Sequence, residues 1–83
     1  MKLSIIIPVY NEEATISEIL SQVEAVDIDK EVIIVDDAST DATREILQKL
    51  SPEQAKVIYH PRNLGKGAAV RSGLKEVTGE VII

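Results

Sequence analysis

The sequence predicts an α/β fold: an open parallel sheet in the order β-α-β-α-β-α-β, with helices on both faces. Three observations lead there. Four short apolar runs are rich in β-branched residues and do not alternate with polar ones, the pattern of strands buried on both faces. Segments of helical period lie between them. Each connection is long enough for a right-handed crossover to a parallel neighbour.

The first strand runs from Leu3 to Val9, interrupted only by Ser4. Next, Ile16, Ile19, Leu20 and Val23 fall at i, i+3, i+4 and i+7 and make one apolar stripe. Two helix starts fit. Asn11 is a suitable N-cap, with Glu12 and Glu13 favourable to the helix dipole; alternatively, Thr15-Ile16-Ser17-Glu18 is a capping box. Val32-Ile33-Ile34-Val35 is the second strand. Ala42, Ile46, Leu47 and Leu50 form the second stripe, capped by Thr40 or Asp41 and ended by Ser51-Pro52. Val57-Ile58-Tyr59 is the third strand. Ala69, Val70, Leu74 and Val77 form the third stripe, opened by Gly65-Lys66-Gly67 and closed near Thr78-Gly79. Val81-Ile82-Ile83 is the fourth strand. The expected whole is a Rossmann-like open parallel sheet.

Composition bounds the function. The 83 residues allow one small domain, spanning 1–83. Hydrophobic residues at 45% and charged residues at 28% exclude a disordered chain. With two tyrosines as the only aromatics, Ile, Val, Leu and Ala must build the core. The absence of cysteine excludes a disulfide scaffold and a thiolate zinc site. Fourteen acidic against nine basic residues, a net charge of −5, argue against nucleic acid as a partner. The apolar runs reach about four residues, far short of the roughly 18 of a membrane span. The N-terminal run is broken by Pro8 and ends at Asn11-Glu12-Glu13, with no small-residue cleavage site, so it does not read as a secretory signal. The expected location is the cytoplasm.

Ligands of open parallel sheets bind outside the carboxyl ends of the strands. Those ends read Pro8-Val9-Tyr10-Asn11-Glu12, then Asp36-Asp37-Ala38-Ser39-Thr40-Asp41, then His60-Pro61-Arg62-Asn63-Leu64-Gly65-Lys66-Gly67. Successive strand residues face opposite ways, so Asp36 and Asp37 do not aim at one ligand if the strand continues through them. One can accept a hydrogen bond from a ribose hydroxyl or base N–H while the other caps the following turn; both can equally be turn residues. Adjacent carboxylates without further ligands make a poor divalent metal site. The Tyr10 ring either stacks on a nucleobase or packs on the first helix. Glu12 equally suits the first turn of a helix. Gly65-Lys66-Gly67 is neither a Walker A loop nor a full dinucleotide fingerprint, since Val70 takes the third glycine position. Lys66 at a helix N-terminus favours phosphate, with Arg71 about one turn on; both residues equally suit a solvated surface. His60, the only histidine, has no serine or acid at a recognisable spacing and reads as a loop or boundary residue.

Taken together, these segments resemble the N-terminal part of the family 2 glycosyltransferases, inverting enzymes of the GT-A fold. The resembling residues are Ser4 to Glu13, Glu31 to Asp41, Asn63 to Gly73 and Thr78 to Ile83. Four motifs in order at the right spacing make the likeness specific. Asn63-Leu64-Gly65-Lys66-Gly67 brings it nearest to polyprenyl- or dolichyl-phosphate mannosyl- and glucosyltransferases.

The resemblance implies a sugar-nucleotide donor, UDP- or GDP-linked, and transfer of a hexose to an acceptor such as a polyprenyl phosphate. It implies that Pro8, Tyr10 and Glu12 hold the nucleotide. Val35 would form a wall and Asp37 a polar contact near base and ribose, with Asp36 structural. Lys66 and Arg71 would stand beside the donor site. In the family, the fourth strand leads into an Asp-X-Asp-type motif that binds Mg²⁺ or Mn²⁺ across the donor diphosphate. That motif, the catalytic base and the acceptor site are not among these residues. The expectation is therefore a nucleotide-binding portion truncated before the metal motif. It should bind no metal and lack activity alone, and its parent enzyme should work at the cytoplasmic face of a membrane. The rival expectations are a non-catalytic nucleotide-binding module and a structural fragment that self-associates through exposed strand edges.

Overall fold

The computed structural model describes residues 2–82. The order of elements is β1 (Leu3–Val9), α1 (Ile16–Ala25), β2 (Lys30–Asp36), α2 (Thr43–Gln48), β3 (Lys56–Tyr59), α3 (Lys66–Leu74) and β4 (Glu80–Ile82). Ile83, assigned from sequence to the fourth strand, lies outside the described residues. The four strands are all parallel and lie in the order β3-β2-β1-β4. The expected α/β architecture is thus observed. The chain steps outward from β1 to β3, then returns through α3 to place β4 on the far side of β1. Such a reversal creates a crevice at the carboxyl ends of the strands.

Helices cover both faces. Val9, Ile16, Leu20, Val32, Ile34, Leu47 and Ala55 form one buried cluster, joined by Ile7, Val23, Ile46, Leu50 and Val57. Ile33, Val35 and Ala69 form a second, joined by Ile58 and Val77. Strand alternation explains the division. Val32 and Ile34 face α1 and α2, whereas Ile33 and Val35 face α3. Because both faces are covered, Val32 to Asp36 are all buried. The apolar run Val32 to Val35 suits a strand covered on both faces.

Three local expectations change. Asn11 does not cap α1 and Thr15 forms no capping box: α1 has no side-chain cap. Asn11 takes a left-handed backbone (φ 52°), which turns its carboxamide across to the next loop. Its Oδ1 accepts from the N–H groups of Thr40 and Asp41. Second, neither Thr40 nor Asp41 is the N-cap of α2, which is Ala42 with no side-chain cap bond; Asp41, one residue earlier, accepts from Thr43 N–H through Oδ1 at 2.9 Å. Third, α3 buries Ala69 and Gly73, while Leu74 is 44% exposed. The apolar stripe placed Leu74 inside. The close contact is instead made by a residue with no side chain, because α3 lies too near β1 for one.

Candidate functional site

The same alternation that divides the core builds the site. Counting along β1, Ser4, Ile6, Pro8 and then Tyr10 fall on the α3 face. Asp37 follows β2 on that face, and His60 follows β3. Asp36 is turned the other way. It is fully buried; its Oδ1 accepts from the Ser39 N–H and hydroxyl, and its Oδ2 accepts from Arg44 Nε at 3.1 Å. Arg44 Nη2 also donates to the His60 carbonyl, and the guanidinium sits 5.1 Å from the centroid of the Tyr59 ring. Asp36 therefore ties β2 to α2 and β3 and has no remaining reach to the α3 face.

Asp37 is 4% exposed. Its Oδ1 accepts from Leu64 N–H and from His60 Nδ1, both at 2.8 Å, and its Oδ2 accepts from Gly65 N–H at 2.8 Å. Burial alone would raise this carboxyl. The Leu64 and Gly65 N–H groups and the His60 imidazole outweigh burial and hold it below the ordinary value of 3.8. Asp37 is thus a buried carboxylate whose Oδ2 keeps one acceptor position uncommitted.

A cavity of about 370 Å³ opens beside it, lined by Pro8, Val9, Tyr10, Glu12, Asp37, Asn63, Gly65, Lys66 and Ala69. Five residues expected from sequence therefore meet in one place: Pro8, Tyr10, Glu12, Asp37 and Lys66. The Tyr10 side is open, the residue being 45% exposed. Glu12 is held by its N–H donating to Thr43 Oγ1 and its Oε2 accepting from Thr15 Oγ1. Lys66 begins α3 just after Gly65, whose φ of 94° turns the chain into the helix. Val35 does not line the cavity. It is fully buried in the cluster containing Ala69 and forms the layer beneath. Arg71 does not line it either. It is exposed on α3, with its guanidinium over the Gly67 backbone.

A larger depression of about 650 Å³, lined in part by Glu24, Asp29, Lys30, Glu31 and Lys56, lies at the amino ends of β2 and β3. Its walls are mixed surface charge, at the end of the sheet opposite the crevice. Chemistry favours the smaller cavity, where an open aromatic ring, a buried carboxylate and a lysine at a helix N-terminus converge. Among the described residues, no group of three or more His, Cys, Asp or Glu side chains can hold a metal ion. Also among them, no helix is long and apolar enough to cross a membrane.

Sequence reasoning missed the setting of His60, which is buried at 6% exposure and not a free loop residue. Its Nδ1 meets Asp37 and its Nε2 meets Ser72 Oγ, each at 2.8 Å. A signal was present: Asp36 is paired with Tyr59 in the β2–β3 register, so the residues that follow them, Asp37 and His60, emerge side by side.

Comparison with known proteins agrees with this geometry. The family model described as "Glycosyl transferase family 2" matches residues 4–83. The dolichol-phosphate mannosyltransferase of Pyrococcus furiosus is 38% identical over 86 residues, covering 100% of this chain and 24% of that protein. An undecaprenyl-phosphate 4-deoxy-4-formamido-L-arabinose transferase of Pseudomonas fluorescens is 38% identical, covering 96% of this chain and 26% of the relative. The chain thus spans about a quarter of the length of these relatives. Among solved structures, the mannosyltransferase PcManGT of Pyrobaculum calidifontis, in complex with GDP-Man and Mn²⁺, superposes with a TM-score of 0.88 at 31% identity, covering 98% of this chain and 26% of that one. S. aureus TarS 1-349 in complex with UDP-GlcNAc superposes with a TM-score of 0.87 at 38% identity, covering 99% and 25%. The sheet order and the helices on both faces are those of the N-terminal portion of the GT-A glycosyltransferases. On fold, ordered motifs and family match together, this chain belongs to glycosyl transferase family 2.

Proposed function

We propose that residues 1–83 form the nucleotide-holding unit of a glycosyltransferase that moves a hexose from a UDP- or GDP-sugar to a polyprenyl phosphate. The observation that carries this is the convergence of Pro8, Tyr10, Glu12, Asp37 and Lys66 on one cavity at the strand carboxyl ends. Pro8 lines the wall, and each of the other four has a task suited to a nucleoside diphosphate. The Tyr10 ring offers a stacking face for the base. The uncommitted acceptor position of Asp37 Oδ2 takes a base N–H or a ribose hydroxyl. Glu12 Oε1 accepts from a second ribose hydroxyl. Lys66 and the α3 N-terminus meet the diphosphate. Val35 supports this wall from beneath, and Arg71 adds positive charge further along α3. The support from relatives is that PcManGT is in complex with GDP-Man and TarS with UDP-GlcNAc; the curated relatives are named a dolichol-phosphate mannosyltransferase, for a hexose, and an undecaprenyl-phosphate 4-deoxy-4-formamido-L-arabinose transferase, for a pentose derivative.

The described residues do not fit a divalent metal site. Mg²⁺ or Mn²⁺ belongs to the proposal through ligands outside these 83 residues, with the catalytic base and the acceptor site. A cytoplasmic location, with a longer parent enzyme at the cytoplasmic face of a membrane, is part of the proposal; a lipid-phosphate acceptor supports only the membrane. Self-association belongs to the rival reading of a structural fragment, which draws on the outer edges of β3 and β4, unpaired among the described residues.

Calorimetric titration of the 83-residue chain with UDP and GDP tests the reading. Binding of at least one nucleotide is expected, weakened by Tyr10→Ala and by Asp37→Ala. Absence of heat from both nucleotides at millimolar concentration sinks it.

A further inference from the structure

His60 is not needed by any contact to the nucleotide proposed above, yet the fold spends a buried histidine on it. Its imidazole lies between two side chains from different elements: Asp37, after β2, and Ser72, late in α3. A carboxylate oxygen only accepts, so Nδ1 carries the proton shared with Asp37 Oδ1. In the neutral ring Nε2 then accepts from the Ser72 hydroxyl. Acid, imidazole and hydroxyl are connected in the order of a hydrolase triad. The resemblance stops there. Ser72 sits where the backbone N–H groups are spent inside the helix, so no pair of donors is left to hold an oxyanion.

The other end of the chain of bonds has the consequence. Asp37 faces the cavity, and its side chain rotates about two bonds unless it is held. Leu64 N–H and Gly65 N–H come from the loop that leads into α3. His60 comes from the end of a core strand, and its backbone N–H is in turn held by the Asp36 carbonyl at 2.9 Å. It is the contact that references the carboxylate to the sheet. With Oδ1 saturated by His60 and Leu64, the open acceptor position falls on Oδ2 alone.

We infer that His60, braced by Ser72, is a positioning residue for nucleotide recognition, fixing the Asp37 carboxylate so that Oδ2 presents its one free acceptor position to a base N–H or ribose hydroxyl in the cavity. The inference rests on the nucleotide reading above and adds a residue that touches no ligand. It also gives α3 a second link to the site: Ser72 reaches Asp37 through the imidazole, while Gly65 and Lys66 reach the cavity directly.

The experiment is a double-mutant cycle on the 83-residue chain, with UDP and GDP affinities measured by calorimetry and folding by circular dichroism. His60→Leu should weaken binding by about tenfold in the wild-type background, the scale of one hydrogen bond to a charged group. In an Asp37→Ala background it should cost nothing further. His60→Asn, whose amide nitrogen stands near the place of Nδ1, should recover most of the affinity, and Ser72→Ala should cost about threefold, as a weaker neutral bond does. Should His60→Leu fail to fold, Ser72→Ala, measured in the wild-type and Asp37→Ala backgrounds, completes the cycle, with a loss expected in the first background only. Equal losses in both backgrounds, or no loss in the wild type, overturn the inference while nucleotide binding stands. If the wild-type chain binds neither nucleotide, the underlying reading falls and this inference with it.

Discussion

Gly73 of α3 rests directly on Ile6 of β1: a Cβ at Gly73 would lie 2.7 Å from Ile6 Cγ2. Ile6 is 1% exposed, and Cγ2 is attached next to its backbone, so the contact cannot be relieved by swinging a chain end. Gly73→Ala therefore forces α3 away from the sheet. Overpacking of this kind costs about 1–3 kcal/mol, against a gain of roughly 0.8–1.0 kcal/mol from better helix propensity. Net destabilisation is expected in urea unfolding. Ile6→Ala removes the opposing methyl, so Gly73→Ala added to Ile6→Ala should cost less than it does alone. Additive losses would show that the contact does not set the helix–sheet distance.

The loop after β2 carries a second steric prediction. Ala38 has a φ of 63°, a conformation that costs a residue with a Cβ about 1–2 kcal/mol. Glycine relieves that cost and adds roughly 0.5–1 kcal/mol of backbone entropy to be lost on folding. Ala38→Gly should then stabilise the chain slightly, raising Tm by about 2–6 °C for a domain of this size. A fall in Tm by differential scanning calorimetry would contradict the balance of the two effects.

These two positions mark where the sequence is and is not legible. Strand identity was readable because Ile33, Ile34 and Val35 leave no polar position for a solvent face. The partition of the site was readable for a similar reason: alternation separates Asp36 from Asp37 wherever a strand passes through them. The face of α3 was not, because hydrophobic periodicity has no symbol for a close approach made by glycine. Pattern alone turns Leu74 inward, whereas it is exposed. Residue type alone makes Asn11 a cap, whereas its partners Thr40 and Asp41 lie in another loop. The setting of His60 is not legible because its partners stand 23 and 12 residues away; the β2–β3 register brings Asp37 to it and the packing of α3 brings Ser72. Of the seven expected site residues, Val35 and Arg71 stand apart from the lining for distinct reasons: one is beneath the surface and the other is outside the cavity.

Acid sensitivity follows from Glu31. Ser4 Oγ, Thr78 N–H and Thr78 Oγ1 all donate to its Oε2, tying β1, β2 and the turn before β4 together. The Ser4 hydroxyl, then the Thr78 groups, lower its carboxyl from the ordinary 4.5 to about 2, with Lys2 adding a smaller attraction. The native state thus holds the ionised form more strongly than the unfolded chain does. The contribution is fully present above pH 4.5 and is lost as pH falls through the window from 4.5 to about 2. Glu31→Gln should lower the urea midpoint at pH 7 and flatten its dependence on pH across that window. A variant with the wild-type slope would show that Glu31 does not carry this part of the acid response. Asp37 and Asp41, whose carboxyls are also lowered, leave a residual slope in the variant.

Lys66 and Asp37 should divide the nucleotide between them. Lys66 starts α3 on the cavity rim and is exposed, so its contribution is charge-based, screened by salt and confined to the diphosphate. Asp37 is buried and offers one hydrogen-bond acceptor, so its contribution is directional and confined to the nucleoside. Lys66→Gln is expected to weaken UDP or GDP by about threefold to fivefold at low salt, the scale of an exposed charge pair, with the loss shrinking as salt rises. Uridine and guanosine, lacking phosphate, should be insensitive to it. Asp37→Ala should weaken nucleoside and nucleotide by the same factor, about tenfold or more for a charged acceptor, with little salt dependence. Calorimetry on the four ligands at two salt concentrations separates the two behaviours. If Lys66→Gln weakens the nucleosides as strongly as the diphosphates, the lysine acts by shaping the start of α3 and not by meeting phosphate, and the assignment of the diphosphate to Lys66 falls.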